Sequence, residues 1–341
     1  MTPRHFAIPV FVPELACPNR CVFCNQRNIS GTMAMPQPDE VAGIIEKHLA
    51  TIPPDSETEI GFFGGNFTGI EPSLQQSFLE IAEKYVRAGK AKSIRLSTRP
   101  DYIDDRRLSL LKQFSVQNIE LGAQSLDGEV LRLSGRGHTV YDVEKASELI
   151  LENGFRLGLQ MMTGLPGDTP ARSVATARKI VALGASDTRI YPTLVIRDTE
   201  LEKMYHAGSY VPLSLDEAVE SAAVIAGIFE EAGVKILRIG LHPSEGLLSG
   251  ESLVAGPFHV AFGELVATAQ WSAIFRQKLA GNSSGVNENL LAEVPPGQIN
   301  AAVGHKSLNK KMLLTRFRKV VFRENKELSG KQCRFIVSST D

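Results

Sequence analysis

The chain of 341 residues is poor in four things, and each lack removes a class of protein or partner. It has four cysteines, three of them inside residues 17–24, which is no disulfide framework for a chain of this size. It has no uninterrupted apolar run of about 18 residues, the length a membrane-spanning helix needs. The N-terminal MTPRHFAIPVFVPELACP lacks the apolar stretch and small-residue cleavage site of a secretory signal. Net charge is nearly absent as well: 37 basic residues against 38 acidic ones leave −1, so the overall balance selects neither nucleic acid nor a lipid surface as partner. No internal repeat or low-complexity tract stands out. A cytoplasmic, reducing setting is expected, in which clustered cysteines more often bind metal than pair.

What is present is a rhythm of short β-rich runs, turn residues and amphipathic segments. Strands are expected over 7–12, 59–63, 93–98, 118–121, 156–162 and 189–196, with a seventh over 235–241. The helical patterns between them open near Asp39, Pro72 and Asp104, and others close at Gly154, Gly184 and Gly233, where glycine suits a left-handed cap. Strict alternation means parallel strands joined by right-handed crossovers, in an open doubly wound sheet or a barrel. Six such units suit a partial (β/α)6 TIM-type barrel. After residue 241 the rhythm breaks in HPSEGLLSGESLVAGPFH, so a boundary is expected there, between a barrel over 1–241 and a small α+β unit over 242–341. That second unit is locally basic, with ten basic residues against three acidic ones from Lys306 onward.

The cysteine run ELACPNRCVFC follows the first strand directly. A structural zinc site normally closes four ligands, often as two Cys or His pairs, and the second pair is missing here. Iron–sulfur clusters are usually held by four thiolates, so three would leave one iron open for chemistry. On the cysteines alone, a zinc knuckle completed by His5 or Cys333 stays open, as do cysteines that merely pack.

In parallel α/β folds ligand groups gather at the C-terminal ends of strands, and unusual residues do recur there. GFFGGNFTGI carries Gly64, Gly65 and Asn66 but no GxxxxGK[ST], so it is no phosphate loop, and a double glycine by itself is more often a turn. RLSTRPDYI ends its strand on Ser97, Thr98 and Arg99, which a helix-start turn would also explain. ELGAQS and GRGHT carry Gln124 and Arg136. LGLQMMTGLPGDT carries Gln160, while Met161 and Met162 read as core.

Taken in order over roughly residues 8–200, the CxxxCxxC loop and these strand ends resemble the radical S-adenosylmethionine (SAM) superfamily. The branch is that of the Elongator catalytic subunit and the oxygen-independent coproporphyrinogen oxidases, and ELGAQS, GRGHT, MMTGLPGDT and RIYPTLVIRDTEL look like its Elongator side. The resemblance implies that Cys17, Cys21 and Cys24 hold a [4Fe-4S] cluster whose open iron chelates SAM. It implies reductive cleavage to a 5′-deoxyadenosyl radical that takes a hydrogen atom from substrate, with an electron donor such as flavodoxin or ferredoxin. It places Phe23 against the adenine, Gly64, Gly65 and Asn66 at the amino group, Ser97, Gln124 and Gln160 at the ribose, and Arg136 at the carboxylate. There are two departures. The Elongator subunit carries an acetyltransferase domain after its radical core, for which this chain has too few residues, and its cysteine spacing is wider.

The substrate is less legible. Tyr191, Glu120 and Arg238 are the candidate catalytic residues, with Arg189 and His242 beside them, because residues late in the barrel should lie near the substrate, and Glu120 joins them from the fourth strand. GHKSLNKKMLLTRFRKVVF is either an ordinary solvated face or a track for a phosphate backbone. Three readings follow: a radical SAM enzyme on tRNA or another RNA, the same chemistry on a small molecule such as a tetrapyrrole, or a non-enzymatic metal-binding protein.

Overall fold

The computed structural model describes residues 5–12, 21–25, 35–280 and 288–339. Seven parallel strands form the main sheet: β1 (His5–Val12), β2 (Glu57–Gly64), β3 (Ser93–Thr98), β4 (Val116–Gln124), β5 (Arg156–Thr163), β6 (Asp187–Pro192) and, after a two-residue strand β7 (Val195–Ile196), β8 (Lys235–Ile239). Their order is β1-β2-β3-β4-β5-β6-β8, and the sheet curls into a half-barrel of the TIM type. The seventh expected strand is thus real and forms one edge.

Period-two patterning explains why the sheet has two unlike faces. Ile60, Phe62, Ile94, Leu96, Ile119, Leu121, Leu157, Leu159 and Ile190 are fully buried against the helices. The residues between them, Glu59, Arg95, Asn118, Glu120, Gln160, Asp187 and Arg189, face the lumen and are polar. The helices are locally specified too: Val140–Glu152 and Leu215–Glu231 open on capping boxes made by Thr139 with Asp142 and by Ser214 with Glu217.

One expectation needs correction. The strand expected over 189–196 stops at Pro192, which has no N–H to continue a ladder. Val195 and Ile196 pair instead, antiparallel, with β9 (Leu253–Ala255).

Toward the C-terminus a three-stranded sheet places β10 (Glu288–Val294) between β11 (Lys319–Glu324), parallel to it, and β12 (Arg334–Ser339), antiparallel. The helix Phe262–Ala280 is shared between two apolar cores: Phe262 and Val266 pack into the half-barrel, and Trp271, Phe275 and Leu279 into a second core with Leu290, Leu313 and Phe317. Glu230 reinforces the junction by accepting from Gln270 Nε2 at 3.1 Å and from Lys331. Among the described residues no helix is long and apolar enough to cross a membrane.

Candidate active site

The floor of the half-barrel is a buried ion lattice. Arg95, only 4% exposed, donates through Nε to Glu59 (3.0 Å) and through Nη1 to Glu120 (3.2 Å) and Asp187 (3.0 Å). Asp187 also accepts from Asn118 Nδ2 at 2.6 Å. Glu120 has no exposed surface, and its second oxygen accepts from Arg189 Nε (2.7 Å) and from Gln160 Nε2. Arg189 reaches across the lumen, its guanidinium carbon 5.1 Å from the centre of the Phe63 ring at the end of β2. Glu120 therefore touches no open space and orients Arg189 and Gln160 instead.

At the opposite, C-terminal ends of the strands lies the cysteine loop. Val22 N–H donates to the Ser134 carbonyl (3.0 Å) and Leu201 N–H to the Val22 carbonyl (2.7 Å), pinning the loop from two sides. Phe23 and Val22 pack on a small apolar cluster around Val195, Leu201 and Tyr210. Cys21 is buried, and Arg136 Nη1 sits 3.2 Å from its sulfur. Arg136 also donates to the Gly122 carbonyl, and its own carbonyl accepts from Arg99 Nη2 at 2.9 Å. Cys24 is half-buried on the same turn, its N–H bonded to the Cys21 carbonyl at 3.0 Å. Cys17 lies outside the described residues. Among those residues no three His, Cys, Asp or Glu side chains converge on a metal position.

At the C-terminal ends of the strands, buried polar atoms lack partners: Ser97 Oγ at the end of β3, Gln124 Oε1 at the end of β4, and Arg136 Nε. Leaving such atoms unpaired costs about 1–3 kcal/mol each, so their placement at and beyond the ends of the neighbouring strands β3 and β4 fits a polar ligand that would complete them. Gln124 adds backbone strain, with φ of 65° just after a register shift in the β4–β5 ladder. Of the two neighbouring hydroxyls on β3, Thr98 Oγ1 is spent inside the fold on Asn66 Oδ1 (2.6 Å) and Thr68 Oγ1 (2.5 Å).

The glycine-rich turn has a reason within the chain itself. At Gly64, where φ is +118°, a Cβ would stand 2.3 Å from the Val12 carbonyl oxygen, and the Gly65 N–H donates to that same oxygen at 2.8 Å. These two glycines let β2 close on the last residue of β1, from which the cysteine loop departs. Asn66 is fully buried, and its Oδ1 accepts from Thr98 Oγ1 and the Arg99 N–H (3.3 Å), stitching the turn to β3.

The remaining candidates lie on the last strands. Tyr191 is half-buried on β6, and burial raises its pKa. Arg238 on β8 donates through Nε to the Gly240 carbonyl (3.1 Å) and through Nη2 to His242 Nδ1 (3.1 Å). A cavity of about 230 Å³, lined by residues that include His5, Glu57, Lys92, Arg156 and Lys235, opens at the N-terminal ends of the strands. It lies beyond the ion lattice from the cysteines, so it is not the chamber they serve.

Sequence reasoning missed Arg95, Asp187, Asn118 and Phe63, and it missed His138. The signal was there as charged and amide residues at alternate positions inside apolar strands. His138 donates from Nε2 to the Ala123 carbonyl (3.3 Å) in the strained stretch of β4, and burial, with Arg136 and Arg99 nearby, lowers its pKa to about 3. Because the folded chain refuses a proton that the unfolded chain accepts, this residue's contribution is complete above about pH 6.5 and drains as pH falls toward its folded pKa. Between pH 7 and pH 5, His138→Gln is expected to lose about 2 kcal/mol less stability than the parent in urea unfolding. Equal losses in the two proteins would assign the acid sensitivity to another group.

The Radical SAM superfamily profile matches residues 15–180, and the profile of its C-terminal domain matches residues 186–270. A tRNA uridine(34) acetyltransferase of Methanocaldococcus infernus is 30% identical over 187 residues, 49% of this chain and 35% of that protein. Elongator complex protein 3 of Homo sapiens is 33% identical over 142 residues, 41% of this chain and 26% of that protein. The chain thus matches about a third or less of the length of these two curated relatives. A solved structure of the M. infernus Elp3 with its N-terminus deleted superposes with a TM-score of 0.64 at 23% identity, over 82% of this chain and 64% of that one.

Proposed function

The chain belongs to the radical SAM superfamily of enzymes, and from that premise we propose that it carries out radical chemistry on RNA, with tRNA as the first candidate. The superfamily's cofactors are a [4Fe-4S] cluster and SAM. Together they supply, when bound, a one-electron reductive cleavage and a carbon radical able to take a hydrogen atom from substrate. Cys17, Cys21 and Cys24 are the thiolates proposed to hold the cluster, with flavodoxin or ferredoxin as electron source. The division into a barrel over 1–241 and a basic unit over 242–341 belongs to the same proposal.

The observation that carries the reading is Arg136 against Cys21, with unpaired buried polar atoms at the neighbouring ends of β3 and β4. A fixed guanidinium beside the thiolate loop suits the carboxylate of an amino-acid ligand, and its orphan Nε supplies a further donor. Ser97 and Gln124 offer unpaired oxygens to ribose hydroxyls. Gln160 joins them with its amide nitrogen already committed to Glu120, which fixes the direction of its oxygen. Phe23, seated on the 195–210 cluster, presents an aromatic surface from the same loop. Hydrogen bonds of Val22 with Ser134 and Leu201 fix the loop's position.

RNA as substrate is supported by what the relatives are named for, tRNA uridine modification among them. Acetyl transfer is named for proteins of which this chain matches a third, and it is not carried over. The basic C-terminal segment gives narrower support than its composition suggests. Arg323 and Arg334 pair with Glu293, Lys331 with Glu230, and Arg316 Nη1 donates to the Leu279 carbonyl at 3.2 Å. Lys310, Lys311 and Arg318 make no ion pair among the described residues, and they are the positions to test.

Anaerobic reconstitution with iron and sulfide, then reduction with SAM present, should give the visible absorbance of an iron–sulfur cluster and 5′-deoxyadenosine. A colourless, zinc-containing protein would overturn the proposal. Replacing Lys310, Lys311 and Arg318 together by alanine should weaken RNA binding and flatten its log–log salt slope by about 2. RNA affinity that ignores salt, or that survives the triple substitution unchanged, would turn the reading toward a small-molecule substrate.

A further inference from the structure

Charge in the lumen is sorted along the barrel axis. The three carboxylates Glu59, Glu120 and Asp187 lie in the lower half and share Arg95. The upper half of β6 and β8 carries cations instead. Arg189 and Arg238 are register partners on these neighbouring strands, and of the two only Arg189 reaches a carboxylate. Arg238 makes no ion pair among the described residues.

What Arg238 does touch decides the chemistry beside it. A guanidinium only donates, so His242 Nδ1, 3.1 Å from Arg238 Nη2, accepts. His242 is therefore neutral with its proton on Nε2, which makes it a hydrogen-bond donor at the exposed rim. Burial, and then Arg238, lower its pKa, in agreement with that tautomer. Tyr191 stands within the field of both arginines and adds a phenolic hydroxyl. Two neutral donors thus flank one fixed cation that has no counter-ion, at the open edge of the sheet where β8 has a neighbour on one side only.

We propose that Arg238, His242 and Tyr191 hold an anionic group of the substrate, a phosphate or a carboxylate, at the β8 edge of the half-barrel. Arg189, locked by Glu120 and stacked on Phe63, is the positioning residue beneath them. The proposal rests on reading the lumen as the reaction chamber and names the chemical class of what enters it. An anion would gain charge-assisted hydrogen bonds from Arg238, whereas a neutral group would leave that half-buried cation uncompensated.

Calorimetric titration of the full chain with inorganic phosphate, and separately with acetate, at constant ionic strength tests this. The parent protein should bind at least one of the two, and the tighter one names the source of the anion. Arg238→Gln should weaken binding tenfold or more, and Arg238→Lys should keep part of the affinity. His242→Ala, at an exposed position, should weaken binding several-fold with an unchanged melting temperature, so the result does not hinge on the fold of one variant. No binding by the parent protein, or equal binding by the parent and Arg238→Gln, would overturn the proposal. The probes contain neither RNA nor SAM, so such a failure leaves cluster formation and 5′-deoxyadenosine untouched. A failed reconstitution, conversely, removes the chamber reading whatever the anions do.

Discussion

Cys21→Ala is expected to give a colourless protein that forms no 5′-deoxyadenosine, while Cys333→Ala keeps both signals. The contrast follows from where the two thiols sit. Cys21 is buried on a loop held by the Ser134 carbonyl and the Leu201 N–H, with Arg136 3.2 Å from its sulfur. A loop fixed on both sides cannot slide a neighbouring group into the vacated place. Cys333 lies in the second apolar core with Trp271 and Phe275, where burial raises its pKa and disfavours the thiolate a cluster needs. Removing one of three thiolates should therefore take away the whole signal rather than a third of it. Thermal unfolding of both variants by circular dichroism separates loss of the site from loss of the fold. A coloured, turning-over Cys21→Ala protein would refute the cluster assignment.

Arg95→Met is expected to be the most destabilising single change in the half-barrel, at about 3–5 kcal/mol. Methionine fills much of the arginine's volume, so the loss is one of charge and hydrogen bonds rather than of packing. Glu59, Glu120 and Asp187 would then lose their common cation while buried, and breaking a buried pair from one side costs far more than the pair contributes over an apolar substitute. Urea unfolding gives the measurement through the shift in midpoint at constant slope. Adding Asp187→Asn to Arg95→Met should recover part of the loss, because it removes one of the stranded charges. A loss under about 1 kcal/mol, or no recovery in the double variant, would mean that the lattice is not held by Arg95.

Arg95 also shows why part of the candidate site was hidden in the sequence. Its partners stand 36, 25 and 92 positions away, on three different strands. Nothing local to any of those strands announces the meeting. Glu120 illustrates the same limit: it reads as a candidate catalytic carboxylate at a strand end, and the fold commits both its oxygens to Arg95, Arg189 and Gln160. Gly64 and Gly65 were legible as special, but their close approach to the Val12 carbonyl was not.

By itself the sequence determined what short-range physics controls: the period-two strands, the capped helices, their alternation into a parallel α/β fold, and a three-cysteine loop after the first strand. The order of polar residues at the strand ends was likewise readable, because crossovers bring consecutive strand ends to one rim. Only the tertiary structure decided which of those polar atoms stay unpaired and which are consumed inside the fold. It decided that Thr98 is spent and Ser97 is not, and that one helix serves two cores. It also decided that four residues of the basic tail are tied within the chain while Lys310, Lys311 and Arg318 make no ion pair. The reason is common to all: strand and helix patterns arise between neighbours, whereas the partner of a buried charge is chosen by the curl of the sheet, which brings together side chains that the chain itself keeps far apart.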